Sequence, residues 1–194
     1  MGGMRLIGTV SPDRPLLVVA VREEAAHLDE RLPVLLTGIG KINATAALAT
    51  VLARGERPSE IVNLGTAGAL KSGWAGTHEI ARVLQHDIDT PALEALTGRS
   101  YGAPLTLGSA PGPVLATGDL FVSDEEARAR LARSADLVDM EGYAVAVVAR
   151  RAELPVRLVK HVSDEAGEGA GNSWRDAVDG CAKILAEWVA EHLH

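Results

Sequence analysis

The sequence predicts an α/β fold, a single domain over residues 1–194 built as three αβα layers around a central mixed sheet. Three observations predict it. Short runs rich in Val, Leu and Ile alternate with Ala-rich stretches along the chain, the pattern of strands and helices taken in turn. The runs are apolar at consecutive positions rather than at every second one, which marks strands covered on both faces. Hydrophobic residues make up 47% but aromatics only 3%, so a sizeable core of Ala, Val, Leu and Gly suits helices lying close on a sheet.

Taken in order, Leu16–Val21 reads as a buried strand and Glu23–Arg31 as a helical turn. Pro33–Thr37 reads as a second strand ending at Gly38-Ile39-Gly40. Lys41–Arg54 is an Ala-rich helix stopped by Gly55 and Pro58, and Glu60–Leu64 is the next strand, followed by a Gly-Thr-Ala-Gly turn at Gly65–Gly68. Gly76–Gln85 and Leu105–Leu107 are weaker strands, and the Pro- and Gly-rich stretch Pro104–Pro113 is loop. Val114–Thr117 is a short strand, Asp124–Ala132 a charged helix, and Leu137–Asp139 leads into the helix Glu141–Ala152. Pro155 stops that helix, and Val156–Val162 is a further buried strand. In the last helix Trp174, Ala177, Val178, Cys181, Leu185 and Trp188 share one face. There is no internal repeat.

A net charge of −7 gives no attraction to nucleic acid or to an anionic membrane. The single cysteine, Cys181, excludes an intrachain disulfide and a Cys-rich metal cage. The N-terminal stretch has no charged-then-apolar leader pattern, and runs such as Leu16–Val21 are far shorter than a membrane-spanning helix. A soluble cytoplasmic protein is the expectation. His78, His86 and His161 lack ligand spacing, and the stretch from His86-Asp87 to Asp89 reads as solvated loop, so no metal is expected.

The chemistry-bearing residues recur at one kind of place. Glu23 and Glu24 follow the first strand, Gly65-Thr66-Ala67-Gly68 the third, Gly118-Asp119-Leu120-Phe121 the run ending at Thr117, Met140-Glu141 that ending at Asp139, and Ser163-Asp164 that ending at Val162. In α/β sheets ligands gather beyond strand carboxyl ends, so these distant segments are expected at one rim. Gly38-Ile39-Gly40-Lys41 lacks the full dinucleotide and P-loop patterns. It reads as a tight turn, or as a helix start whose N–H groups meet an anion.

The stretches Gly38-Ile39-Gly40-Lys41, Asn63-Leu64-Gly65-Thr66-Ala67-Gly68, Thr117-Gly118-Asp119-Leu120-Phe121, Val138-Asp139-Met140-Glu141 and His161-Val162-Ser163-Asp164 occur in the order of a known family. The sequence resembles the nucleoside phosphorylase superfamily, most closely its methylthioadenosine/S-adenosylhomocysteine nucleosidases, over roughly residues 16 to 190. The resemblance implies that Asp164 donates a proton to purine N7 with Ser163 orienting it, and that Glu24 activates the attacking water with help from Thr66. Glu23 stands beside Glu24 and would serve equally well by residue type. Glu141 would clamp the ribose hydroxyls with Met140 against the sugar. Phe121 would stack on the base, the Val122 backbone would read its edge, and Trp174 would lie near the sugar's 5′ side or simply pack in the core. Ala67, Gly68 and Asp139 complete the implied substrate-binding set. Asp119 reads as a structural turn residue. The resemblance also implies a homodimer, a small purine nucleoside as the partner molecule, and no cofactor.

Water rather than phosphate is the expected nucleophile, because a phosphate pocket needs arginine-type cations, whereas Val21-Arg22-Glu23-Glu24 offers two acids and Asn63 stands where phosphorylases commonly carry Arg. The implied activity is hydrolysis of the N-glycosidic bond of a 5′-modified adenine nucleoside. A phosphorylase, a futalosine-type hydrolase and a non-catalytic nucleoside-binding protein are the competing readings. Two departures from the family pattern stand out. The segment between Glu24 and Gly38 is short, with Met4–Val10 as a partial replacement for its missing strands, and Lys160 stands where the nucleosidases usually have Arg near the catalytic water.

Overall fold

The computed structural model describes residues 4–55, 57–108, 110–167 and 170–193. Its elements in chain order are β1 (Arg5–Ile7), β2 (Leu16–Val19), β3 (Val34–Leu36), α1 (Lys41–Leu52), β4 (Ile61–Ala69), β5 (Thr77–Glu79) and β6 (Arg82–Gln85). There follow α2 (Thr90–Thr97), β7 (Leu105–Thr106), β8 (Val114–Thr117), α3 (Glu125–Leu131), β9 (Leu137–Asp139), α4 (Gly142–Arg151), β10 (Val156–Asp164) and α5 (Ala170–His192). The strands form one mixed sheet ordered β1-β3-β2-β4-β9-β8-β6-β7, with β10 also paired to β4 and β5 beyond β10.

β4 is the hub. One edge runs parallel to β10, from Ile61 opposite Val156 to Gly68 opposite Asp164. The other edge is shared, first by β2 in parallel along Ile61–Asn63 and then by β9, antiparallel, at Gly68 and Ala69. The two faces carry different helices. Leu16 and Val18 of β2, Ile61 of β4 and Leu158 of β10 share a core with Ala44, Ala47 and Leu48 of α1 and Val145, Ala146 and Ala149 of α4. Leu17, Val19, Val62, Leu64 and Val159 point the other way, onto Leu185 and Val189 of α5. Since strand side chains alternate between faces, covering both faces demands the uninterrupted apolar runs seen in the sequence. The result is the expected αβα mixed-sheet architecture.

Four local expectations are corrected. The Gly65–Gly68 stretch is not a turn but the continuation of β4, because β10 supplies a pairing partner as far as Gly68. Glu23–Arg31 forms turns and no helix, held by short bonds such as Ala25 N–H to the Arg22 carbonyl. α2 lies within a segment for which no helix was predicted; Asp89 accepts from Ala92 N–H at its start and Gly98 closes it at φ 67°. None of its side chains is buried, so no apolar stripe announced it. The stretch Gly76–Gln85 divides into β5 and β6 rather than forming one strand. β1 does add an antiparallel edge strand beside β3, with Leu6 opposite Leu35. No helix among the described residues is long and apolar enough to cross a membrane.

Leu158 is completely buried between β4 and the α1–α4 layer. Leu158→Ala is therefore expected to lower stability by about 2–5 kcal/mol, the cost of lost burial plus a cavity, as measured by urea unfolding.

Candidate active site

A cavity of about 390 Å³ opens where the ends of β2, β9 and β10 meet the second half of β4. Glu24, Thr66, Ala67, Gly68, Phe121, Val122, Asp139, Met140, Glu141, Ser163, Asp164 and Trp174 all line it. Every residue singled out in the sequence is thus brought to one place, while Glu23, the neighbour that residue type alone could not separate from Glu24, is exposed. The same walls include Val21, Ile39 and Leu120, which the sequence motifs contained without giving them a role, and Ala166 and Arg175, which the sequence did not single out.

One wall is a buried charge cluster. Lys160 is 1% exposed, Asp139 6%, Glu24 6% and Glu141 8%. The Lys160 ammonium lies 2.8 Å from Asp139 Oδ2. Asp139 is fixed further by the Thr117 hydroxyl, which donates to Oδ1 at 2.6 Å, and by Gly142 N–H, which donates to Oδ2 at 2.8 Å. Asp139 thereby caps α4, leaving Glu141 free of that duty; Glu141 makes no side-chain cap bond to its own helix and instead accepts from Gly40 N–H at 2.7 Å. Glu24 Oε1 accepts from both the Thr66 N–H and the Thr66 hydroxyl at 2.7 Å, and Trp174 Nε1–H donates to that hydroxyl at 2.9 Å.

Burial dominates the electrostatics here. It raises the Glu24 carboxyl above the ordinary range against the opposing pull of Thr66 and Lys160. It raises Glu141 to about 8, reinforced by Asp139 and offset only in part by Lys160 and Gly40 N–H. Burial works against the Lys160 ammonium too, but the surrounding carboxylates outweigh it and hold Lys160 above the usual lysine range. Three acids share one cation, so a cationic occupant would favour their ionised forms.

Asp164 lines the same cavity. Parallel pairing between β4 and β10 shifts register between Val162 and Asp164, a bulge of the kind that re-aims a side chain. Ser163 Oγ donates to Asp164 Oδ2 at 2.8 Å and Ala166 N–H to Oδ1 at 2.7 Å. Glu165, its neighbour in sequence, points out to solvent 3.9 Å from Arg128. The glycines of β4 make room for the charge cluster and for Asp164. A Cβ at Gly65 would lie 3.2 Å from Glu24 Oε1 and 3.3 Å from the Lys160 ammonium, and one at Gly68 would lie 3.1 Å from Asp164 Oδ1 and 2.8 Å from Ala166 Cβ. Leu120 and Phe121 form an apolar rim, 66% and 54% exposed.

The Gly38–Lys41 turn does present helix N–H groups to anions, and the anions are the protein's own: Gly40 N–H meets Glu141 and Lys41 N–H meets Asp119. Asp119 is accordingly a structural residue outside the cavity lining. Lys160 is the cluster member absent from the residues singled out for catalysis or binding. Its signal was a charge inside the apolar run Val156–Val162, where an ammonium survives only with partners. Among the described residues no group of three or more His, Cys, Asp and Glu side chains is arranged to hold a metal.

Residues 110–193 match the family described as the Phosphorylase superfamily. The 5′-methylthioadenosine/S-adenosylhomocysteine nucleosidase of Oceanobacillus iheyensis is 30% identical over 189 aligned positions, covering 84% of this chain and 81% of the relative. That of Geobacillus thermodenitrificans is 31% identical over 209, covering 93% and 87%. Among solved structures, a futalosine hydrolase mutant of Helicobacter pylori superposes with TM-score 0.80 at 21% identity, covering 92% of this chain and 97% of that one. The Helicobacter pylori 5′-methylthioadenosine/S-adenosylhomocysteine nucleosidase superposes with TM-score 0.80 at 22% identity, covering 93% and 97%. These two structures speak to the fold. The chain belongs to the phosphorylase superfamily and, within it, to the methylthioadenosine/S-adenosylhomocysteine nucleosidase family of N-glycosyl hydrolases.

Because the folded state holds Glu141 at about 8 against an ordinary 4.5, it binds the proton more tightly than the unfolded chain. Its contribution to stability is then fully present below about pH 4.5 and lost as pH rises through about 8. Glu141→Gln is expected to flatten that fall in urea-unfolding free energies measured across pH 5 to about 8.5.

Proposed function

We propose that this hydrolase cleaves the N-glycosidic bond of a 5′-modified adenine nucleoside of the methylthioadenosine or S-adenosylhomocysteine class, with water as nucleophile. The observation that carries the reading is that one apolar cavity is lined by buried acids, Glu24 and Glu141, and by a hydrogen-bonded carboxyl, Asp164. Breaking the bond builds positive charge on the sugar, which a buried carboxylate stabilises in a water-poor setting. Asp164 protonates purine N7, so the base departs neutral. Glu24, oriented through Oε1 by Thr66, takes a proton from water with its other oxygen as that water attacks the anomeric carbon. The raised Glu24 carboxyl brings its basicity closer to the working pH of a general base.

Glu141, with Met140 beside it, holds the ribose hydroxyls; Asp139 and Lys160 fix that wall. Phe121 stacks on the base and the Val122 backbone reads its edge. Ala67 and Gly68 form the floor of the cavity, and Ser163 keeps Asp164 aimed. Trp174 flanks the sugar and, through its bond to the Thr66 hydroxyl, braces Thr66 against Glu24. The cation in the lining, Arg175, is exposed and far from a phosphate cradle in character, which supports water over phosphate. The apolar rim at Ile39, Leu120 and Phe121, 51%, 66% and 54% exposed, supports a homodimer in which a neighbour closes the pocket. A cytoplasmic location fits the free, buried Cys181.

Adenine release from methylthioadenosine in phosphate-free buffer, followed by chromatography, is the expected result; a requirement for phosphate would replace hydrolysis by phosphorolysis. Futalosine in the same panel is expected to be the poorer substrate. Asp164→Asn is expected to lower kcat by about 10²–10⁴ with an unchanged circular dichroism spectrum, and undiminished turnover would sink its role as acid.

A further inference from the structure

Three polar residues outside the cavity lining, from segments far apart in sequence, close on one another. Lys41 N–H donates to Asp119 Oδ1 at 2.8 Å. Asp119 N–H donates to Asp87 Oδ2 at 2.9 Å. The Lys41 ammonium returns to Asp87 Oδ1 at 2.5 Å and also reaches Gln85 Oε1 at 2.7 Å. The Lys41 and Asp87 side chains are each only 17% exposed, so the pair is shielded far better than a surface ion pair. Burial works to raise the Asp87 carboxyl, but the bonds from Lys41 and Asp119 overcome it and leave it below its usual value.

Lys41 and Asp119 each adjoin a different piece of the site, and Asp87 joins the two. Lys41 begins α1, directly after Gly40, whose N–H holds Glu141. Asp119 directly precedes Leu120, Phe121 and Val122 of the cavity wall. Asp87 follows β6, beside His86, whose ring lies against Gly118 so closely that a Cβ there would be 2.3 Å from it. Gly40 stands at φ 96°, where a Cβ would be 3.0 Å from Asp119 Oδ1, so the turn and the loop fit only without a side chain between them. An ordinary ion pair would tie two elements anywhere; this ring ties the two sides of the substrate cavity.

We propose that Lys41, Asp87 and Asp119 are positioning residues, a closed ring that locks the base-side loop Leu120–Val122 and the sugar-side carboxylate Glu141 into one frame. The proposal rests on the nucleosidase reading for what the two sides hold. A nucleoside spans both sides, whereas free adenine touches one. Opening the ring therefore misaligns the intact substrate more than it weakens the base, since small misplacement of reacting groups costs rate steeply.

The test compares Lys41→Met, Asp87→Ala, their double variant and the charge-keeping Lys41→Arg, using methylthioadenosine as substrate and free adenine as competitive inhibitor. Either loss variant is expected to lower kcat/KM by about tenfold or more, with adenine inhibition changed by less than about threefold. The double variant is expected to be no worse than the singles, because a broken ring cannot break twice. Lys41→Arg is expected to keep at least about a third of kcat/KM, and Asp87→Ala stands in if Lys41→Met does not fold. Unchanged kcat/KM, additive losses in the double variant, or a loss matched by weaker adenine binding would overturn the proposal. Hydrogen exchange at the Gly40 amide reads the ring without turnover: about tenfold faster exchange in Lys41→Met supports it, and an unchanged rate overturns it. A parent protein that releases no adenine would instead reject the nucleosidase reading, with the exchange rate still deciding the ring.

Discussion

The ammonium of Lys160, buried beneath Asp139 and within the field of Glu24 and Glu141, is the interaction on which the rest of the site depends. Three carboxyl groups cannot be taken out of water together without a cation among them. With Lys160 in place, Asp139 is free to cap α4 and hold the start of that helix, while Glu141 and Glu24 remain available to the cavity. Three acids still share that one cation, and burial leaves the Glu24 and Glu141 carboxyls raised.

The fold exists to bring that cluster together. β4 and β10 lie side by side for almost their whole length, which sets Lys160 opposite Gly65 and Asp164 opposite Gly68. At both positions the missing side chain is the space a functional group occupies. The register shift near Ser163 then turns Asp164 toward the cavity, and two hydrogen bonds fix it there. Rigid strands supply the aim; the turns after β2 and β8 supply Glu24 and the apolar rim.

Lysine at position 160, where the resemblance implies arginine, keeps a positive charge in that cluster. An ammonium is a compact point charge rather than a bidentate fork, and here it is committed to Asp139. Glu24 is oriented by Thr66, and Thr66 in turn is held by Trp174.

The sequence by itself determined the architecture and most of the site's membership. Consecutive apolar residues in Leu16–Val21 and Val156–Val162 required a sheet covered on both faces, and short motifs such as Met140-Glu141 and Ser163-Asp164 directly after such runs named residues that all reach one cavity. Residue type alone could not choose Glu24 over Glu23, which the family resemblance did, since both are acids on one turn and only packing buries one of them. The sequence took Gly65–Gly68 for a turn, because glycine reads locally as a break while long-range pairing with β10 decides that it is strand. It offered no stripe for α2, whose side chains stay in solvent, and no sign that Lys41, Asp87 and Asp119 would meet. Those are facts of distance in space between residues remote in the chain, and only the tertiary structure decides them.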